Sequence, residues 1–210
     1  MRQEFISAIQ THQPAFGMDL ADDKIARLAD YYEIIQKHNE FLHLVAPMSA
    51  EEFAIRHILE SLMLIKHFPS GTLFADVGAG GGLPSIPCLL VRGNVKAVLI
   101  ESRVKKAKFL AEAVESLGIA NRVQVVNKQF EEVDGSQFSA VTCRALDKFT
   151  AKLPHLVKWF QRRPLFLFGG NNLREELKKL RIVFTEELMP MSAQRFLFIS
   201  AGSGMGKRAL

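Results

Sequence analysis

The chain has 210 residues, 48% of them hydrophobic and 23% charged, with a formal net charge of +5. This is the composition of a globular protein with a sizeable core, and it excludes a disordered or collagen-like chain. No apolar run nears the roughly 20 residues of a membrane-spanning helix, and Glu4 and Gln10 interrupt a start that a secretory signal would keep apolar. A cytoplasmic protein with no membrane attachment is therefore expected. Cys88 and Cys143 stand alone, without a Cys-x-x-Cys or Cys/His cluster, so neither a disulfide framework nor a metal site is expected. The histidines at 38, 43, 57 and 67 also lack the spacing of helical metal ligands.

The charge is unevenly spread. Residues 1–70 carry six Lys/Arg against ten Asp/Glu, and residues 71–210 carry twenty-one against twelve. A basic stretch of that kind attracts polyanions such as nucleic acid.

In chain order, the first seventy residues read as helices. Ile25, Leu28, Tyr32, Ile35 and Phe41 recur close to a 3.6-residue period, with Asp22 available as a cap. The run from Ser49 to Phe68 repeats the pattern, and Ser49 with Glu52 has the spacing of a capping box. No Gly/Ser-rich or Pro-rich linker comes after them, so these helices are expected to pack as an extension on a main domain at 71–203, leaving 204–210 as a flexible tail.

From residue 72 the rhythm changes. The β-prone runs "TLFADV", "KAVLIE", "RVQVVNK", "FSAVTCR" and "PLFLFG" alternate with helical stretches at 84–92, 103–118, 147–161 and 171–181. That alternation predicts an α/β fold with a mostly parallel, doubly wound sheet. "IVFTEEL" and "RFLFIS" add two strands separated by "MPMSAQ", which predicts seven strands ending in an antiparallel edge hairpin.

The first strand runs into the most informative segment, "FADVGAGGGLPSIP" from Phe74 to Pro87, where four of five positions are glycine. Ligands of open parallel sheets sit at the carboxyl ends of the strands. Gly78, Gly80 and Gly82 would let a ligand approach the main chain, and the helix starting near Pro84 would turn its free N–H groups toward an anion. A dinucleotide fingerprint needs a third glycine at position 83, which is Leu83, so a pyrophosphate is disfavoured. Glu101, at the end of the second strand and followed by Ser102, is placed to accept hydrogen bonds from the two hydroxyls of a ribose. An adenosine with a carboxylate and no phosphate satisfies all three features. The pattern from Asp76 through the glycines to Glu101 resembles that of S-adenosylmethionine-dependent methyltransferases.

A closer resemblance rests on "RHILES" (Arg56–Ser61), "DVGAGGGLPSIP", "ESRVKKAKFL" (Glu101–Leu110), Glu131 and Glu132 after the third strand, and "CRAL" (Cys143–Leu146). In that order and spacing, over about residues 40–185, the chain is similar to the RsmG/GidB family of bacterial 16S ribosomal RNA guanine-N7 methyltransferases. The resemblance implies a Rossmann-like fold with an N-terminal helical extension, S-adenosyl-L-methionine as cofactor, and 16S rRNA or the small ribosomal subunit as partner of a monomer. It implies cofactor contacts at Gly78, Leu83, Phe130, Glu131 and Arg144, with adenine held by Phe130 and Glu131. Asp76, Gly80, Gly82, Glu101 and Ser102 complete the expected cofactor site.

Arg144 could pair with the methionine carboxylate or with a carboxylate such as Glu131, and could also hold guanine O6. Arg56, His57, Arg103, Lys105 and Lys106 are candidate RNA contacts. His43-Leu44-Val45 stands where members often have Asn-Leu-Thr, and Phe168-Gly169-Gly170 where a Lys-Gly pair is common. Alternatives compatible with these residues are methylation of another RNA base or a small molecule, or a non-catalytic RNA-binding or assembly module retaining the fold.

Overall fold

The computed structural model describes residues 1–144, 149–160 and 163–200; the expected tail at 204–210 and residues 145–146 of "CRAL" lie outside them. Three helical stretches come first: α1 (Arg2–His12), α2 (Asp22–Leu42), and a run in which α3 (Ala50–Phe53) and α4 (Glu60–Leu62) flank a π-helical turn at Ala54–Leu59. Then β1 (Leu73–Val77), α5 (Ser85–Val91), β2 (Lys96–Ile100), α6 (Val104–Ser116), β3 (Val123–Val126), β4 (Ala140–Arg144), α7 (Phe149–Trp159), β5 (Leu165–Gly169), α8 (Asn171–Lys179), β6 (Thr185–Leu188) and β7 (Phe196–Ser200) complete the order. Among the described residues, no helix is long and apolar enough to cross a membrane.

The sheet runs β3-β2-β1-β4-β5-β7-β6. The first five strands are parallel, and β7 inserts antiparallel between β5 and β6. The chain order reverses beside β1, so the carboxyl ends of β1 and β4 diverge into the crevice where ligands of such sheets bind.

Strand alternation sorts the core into two layers. Phe74, Leu99, Phe166 and Leu197 face one side, where they share a buried cluster with α1, α2, α5 and α6. Ala75, Val98, Val141 and Leu167 face the other, against α7 and α8. The amino-terminal helices thus extend the layer that covers the glycine loop, and Asp76, on the Phe74 side, points into it.

Several local expectations shift. α1 is a further helix beyond the two read from periodicity. Ala21, not Asp22, occupies the α2 N-cap, and Asp22 and Asp23 sit in the first turn, where acids suit the helix dipole. Ile25, Leu28, Tyr32 and Ile35 are buried as expected, but Phe41 is 77% exposed. Six residues beyond Ile35, it falls off the apolar stripe. Ser49 accepts the Glu52 N–H at 3.1 Å, whereas the Glu52 carboxylate pairs with Arg56, so half of the capping box forms. β6 starts at Thr185 because Ile182 closes the end of α8, donating its N–H to Leu177 O at 3.0 Å after Arg181 in a left-handed turn.

Candidate active site

A cavity of about 630 Å³ opens at the carboxyl ends of β1 and β2. Its floor is the glycine loop. Gly78, Gly80 and Gly82 all adopt positive φ, which turns the chain sharply without a side chain in the way. Gly81 is needed for a different reason: a Cβ there would lie 3.3 Å from the Ile35 Cδ1 and 3.4 Å from the Leu44 Cβ, so a larger residue would push α2 off the loop. Tyr31, fully buried on α2, donates its hydroxyl to Gly81 O at 2.8 Å.

One wall is the segment His43–Ala46. His43 takes a left-handed C-cap to α2, and Asn39 pins the two residues after it: its Oδ1 accepts the N–H of Leu44 at 2.8 Å and of Val45 at 2.9 Å. The opposite wall carries Glu101, Ser102, Arg103 and Lys106. Glu101 is 6% exposed and its two oxygens accept the Gly80 N–H at 2.9 Å and the Arg103 N–H at 2.8 Å. Two of the roughly four acceptor positions of a carboxylate are thus used to tie the glycine loop to the start of α6, leaving capacity for ligand hydroxyls.

Arg144, at the end of β4, closes the inner end. Its guanidinium donates to Arg56 O at 2.5 Å and to Ser61 Oγ at 3.3 Å, lies 3.5 Å from the Glu60 carboxylate, and stands over the Phe168 ring at 5.3 Å. These polar partners, together with His57 Nδ1 at 3.4 Å, all belong to "RHILES", where the π-helical turn passes into α4. Insertion of a π turn re-aims the side chains beyond it, and such turns recur at functional sites. Glu60, 1% exposed, also accepts from Arg195 Nε at 2.6 Å. Burial raises the Glu60 pKa, opposed by Arg144 and Arg195. His57 lines the cavity, and burial together with the charges of Arg144, Arg56 and Arg195 lowers its pKa to about 3, so its imidazole is neutral and weakly basic.

Beneath the loop, Asp76 is fully buried and accepts the Ser85 hydroxyl at 2.5 Å at the start of α5. The anion at this helix end is the protein's own carboxylate. Burial raises the Asp76 pKa to about 7, against the lowering effect of Ser85. Its Oδ1, and Oγ1 of Thr142 opposite it across the β1–β4 register, have no hydrogen-bond partner among the described residues.

Of the residues singled out in the sequence, the cavity gathers Gly78, Gly80, Leu83, Glu101, Ser102, Arg103, Lys106, His57 and Arg144. Asp76 and Gly82 lie below its floor, where the space a Gly82 Cβ would need is filled by Ile86 Cδ1. Phe130 is 3% exposed and edge-on to Trp159 at 5.5 Å, while Glu131 stands 3.8 Å from His155. The neighbouring Gln129, held by Lys152 at 3.0 Å, is what lines the cavity there. Arg144 pairs with Glu60 rather than Glu131, a correction with a plain cause: Glu60 comes from α4, which the fold lays across the end of β4. Lys105 is exposed on α6, and Arg56 turns to Glu52. Glu60, Ser61 and Arg195 join the site without having been expected there. The first two are visible inside "RHILES", but Arg195 carries no local signal.

The donor set fits S-adenosylmethionine: bare main chain on the floor, an acid for ribose hydroxyls, and cations for a carboxylate, Arg103 and Lys106 on the rim and Arg144 at the inner end. The profile of a known family, rRNA small subunit methyltransferase G (GidB), matches residues 24–197. The chain belongs to that family. Its relatives include the ribosomal RNA small subunit methyltransferase G of Neisseria meningitidis serogroup C, 35% identical over 145 residues, covering 69% of this chain and 68% of that protein. The namesake from Chromobacterium violaceum is also 35% identical, over 67% of this chain and 69% of that one. Among solved structures, magnesium protoporphyrin IX methyltransferase from Synechocystis with bound SAM superposes with a TM-score of 0.59 over 89% of this chain and 100% of that one. At 16% identity, that likeness concerns the fold.

As a member of the rRNA small subunit methyltransferase G family the chain is a methyltransferase, and S-adenosylmethionine is its cofactor. Both places where it departs from the usual family pattern lie on cavity walls. His43-Leu44-Val45 flanks the glycine loop. Phe168-Gly169-Gly170 lines a second cavity of about 420 Å³, which meets the first at Arg144.

Proposed function

We propose that this protein transfers a methyl group from S-adenosylmethionine to N7 of a guanosine in 16S ribosomal RNA. The observation that carries the reading is the cavity joining a side-chain-free loop, the Glu101 carboxylate and Arg144 in a chain of this family. Bound there, the cofactor supplies an electrophilic methyl on a sulfonium. Gly78 and Gly80 let it lie against the main chain, Glu101 orients its ribose, and Arg144 with Arg103 favours its carboxylate. Gln129, next to Phe130 and Glu131 in the chain, and Leu83 border the adenine end.

Guanine N7 presents a lone pair and no proton, so the acceptor needs no general base. The site agrees: His57 is a poor base with its pKa near 3, and Asp76 does not line the cavity. Rate enhancement then comes from holding two reactants in line, for which effective molarities reach about 10⁵ M or more. Arg103, Lys105 and Lys106 on the exposed start of α6, with Arg56 and His57 near Arg144, are the RNA-facing residues of this reading. The chain acts as a monomer in the cytoplasm, on the small-subunit RNA or the particle containing it.

The test is transfer of labelled methyl to small-subunit RNA, or to subunits from a strain lacking this gene, followed by nucleoside analysis. Label in 7-methylguanosine at one position is the expected result. Label in another nucleoside would replace the acceptor, and absence of transfer from a cofactor that binds would leave an RNA-binding module.

A further inference from the structure

The second cavity lies at the carboxyl ends of β4 and β5, roofed by the connection between β6 and β7. Its walls are mainly apolar, from Phe168, Leu173, Met189 and Phe196, with Asn172 and Glu176 of α8 on one side. Gly169 and Gly170 keep the main chain bare at its edge, a Cβ at Gly169 falling 2.5 Å from Leu173 Cδ2. Into this surface projects one buried acid, Glu60, with Arg144 and Arg195 beside it. A largely apolar slot with one buried carboxylate and two guanidiniums, its other acid Glu176 being paired with Lys179 at 2.7 Å, is built for a flat ring with polar edges.

Which ring it takes is set by the chemistry of the edge. An ionised carboxylate offers two acceptors and no donor. Guanine alone among the four RNA bases presents two adjacent donors, N1–H and the N2 amine; adenine and cytosine place an acceptor beside their amine, and uracil has one donor between two carbonyls. Glu60 Oε1 is held by Arg195 at 2.6 Å, whereas Oε2 has a contact of 3.5 Å with Arg144, so the second oxygen retains most of its accepting capacity. Guanine O6, adjacent to N1, would meet the guanidinium donors. N7 lies on the opposite edge of the ring, which leaves it uncovered by a carboxylate contact at N1 and N2. Arg144 borders both cavities, so the base slot and the cofactor slot adjoin.

We propose that the second cavity receives the target guanine, swung out of its stack, and that Glu60 selects it through N1–H and the N2 amine. Enzymes that act on a base commonly read its Watson–Crick edge in this way, with apolar or aromatic side chains on its faces. The inference rests on guanine being the acceptor, and it adds the residue that chooses it. Arg195 is a positioning residue in this scheme, since it fixes the Glu60 carboxylate.

Met189 is 1% exposed and lines the slot, so its methyl is a local probe. The full chain with S-adenosylhomocysteine is labelled with ¹³C-methyl methionine, the Met189 resonance is assigned with Met189→Leu, and GMP, IMP and AMP are titrated to millimolar concentration. IMP differs from GMP in lacking the N2 amine. The expected result is a Met189 shift with GMP, an affinity for IMP weaker by about tenfold or more, as for one hydrogen bond to a charged group, and no shift with AMP. In Glu60→Gln the preference for GMP over IMP collapses. A Met189 methyl silent to GMP, or equally responsive to all three nucleotides, overturns the proposal and makes Glu60 only a counter-ion to two arginines. If Glu60→Gln fails to fold, the wild-type series alone decides. Labelled 7-methylguanosine in RNA with Met189 silent would sink the slot and spare the function; GMP selectivity without methyl transfer would do the reverse.

Discussion

Tyr31, buried in the middle of α2, hydrogen-bonds the carbonyl of Gly81 in the glycine loop at 2.8 Å. An amino-terminal helix thereby holds the floor of the cofactor cavity, fifty residues further along the chain. Tyr31→Phe leaves a buried carbonyl unsatisfied at constant shape, so a loss of about 1–3 kcal/mol in unfolding free energy is expected. Chemical denaturation measures it, and calorimetric titration should show weaker cofactor binding at temperatures where the variant remains folded.

Gly80 and Gly82 should fail in different ways. At Gly80 the nearest atom to an added Cβ is Gly78 O at 3.7 Å, so the free protein has room, at the cost of φ +56°. Gly80→Val is expected to cost about 1–2 kcal/mol of backbone strain and to abolish cofactor binding by occupying the cavity floor. Gly82→Ala collides with the Ile86 side chain and should lower the melting temperature first. Binding isotherms and thermal melts on both variants separate the effects, and unchanged cofactor affinity in Gly80→Val would show that the ligand does not approach this turn.

Glu101→Ala removes both the acceptor for ribose hydroxyls and the clamp on the Gly80 and Arg103 N–H groups. Cofactor affinity should fall on the order of 10- to 100-fold, the scale of one or two charged hydrogen bonds. Glu101→Gln, which keeps an acceptor, should fall less, and equilibrium dialysis would order the series.

His57 and Asp76 set opposing pH dependences. The folded-state pKa of His57 is depressed to about 3, so the unfolded chain binds more protons and stability falls as pH drops from 6.5 toward 3. Asp76 is raised to about 7, so the folded chain binds more protons and stability falls as pH rises from 3.8 through 7. Between roughly pH 4 and 6.5 the two slopes largely cancel. Asp76→Asn should remove the second, giving a stability that rises across this window by up to about 1.4 kcal/mol per pH unit. Urea midpoints measured from pH 4 to 8 would show the change, and parallel curves for wild type and variant would contradict it.

Replacing Arg103, Lys105 and Lys106 by alanine should weaken binding to small-subunit RNA and flatten its salt dependence, by about 0.7–0.9 in the log–log slope for each phosphate no longer neutralised. Filter binding from low to high salt tests this, and an unaltered slope would move the RNA surface elsewhere.

The sequence by itself determined the glycine turn, the acid at the end of the second strand, the family and the succession of strands along the chain, though not their order in the sheet. These are local features: alternation with a period of two, a turn that tolerates no Cβ, and a side chain at a strand end are each written within a few neighbouring residues. Only the tertiary structure decided that Arg144 and Arg195 converge on Glu60, 84 and 135 positions away, or that Tyr31 supports Gly81. A buried charge must find an opposite charge or hydrogen bonds to offset its desolvation, but periodicity encodes which face is buried, not which distant partner meets it there. Phe41 shows the same limit in reverse, since an apolar residue one step off the stripe remains outside whatever its hydrophobicity.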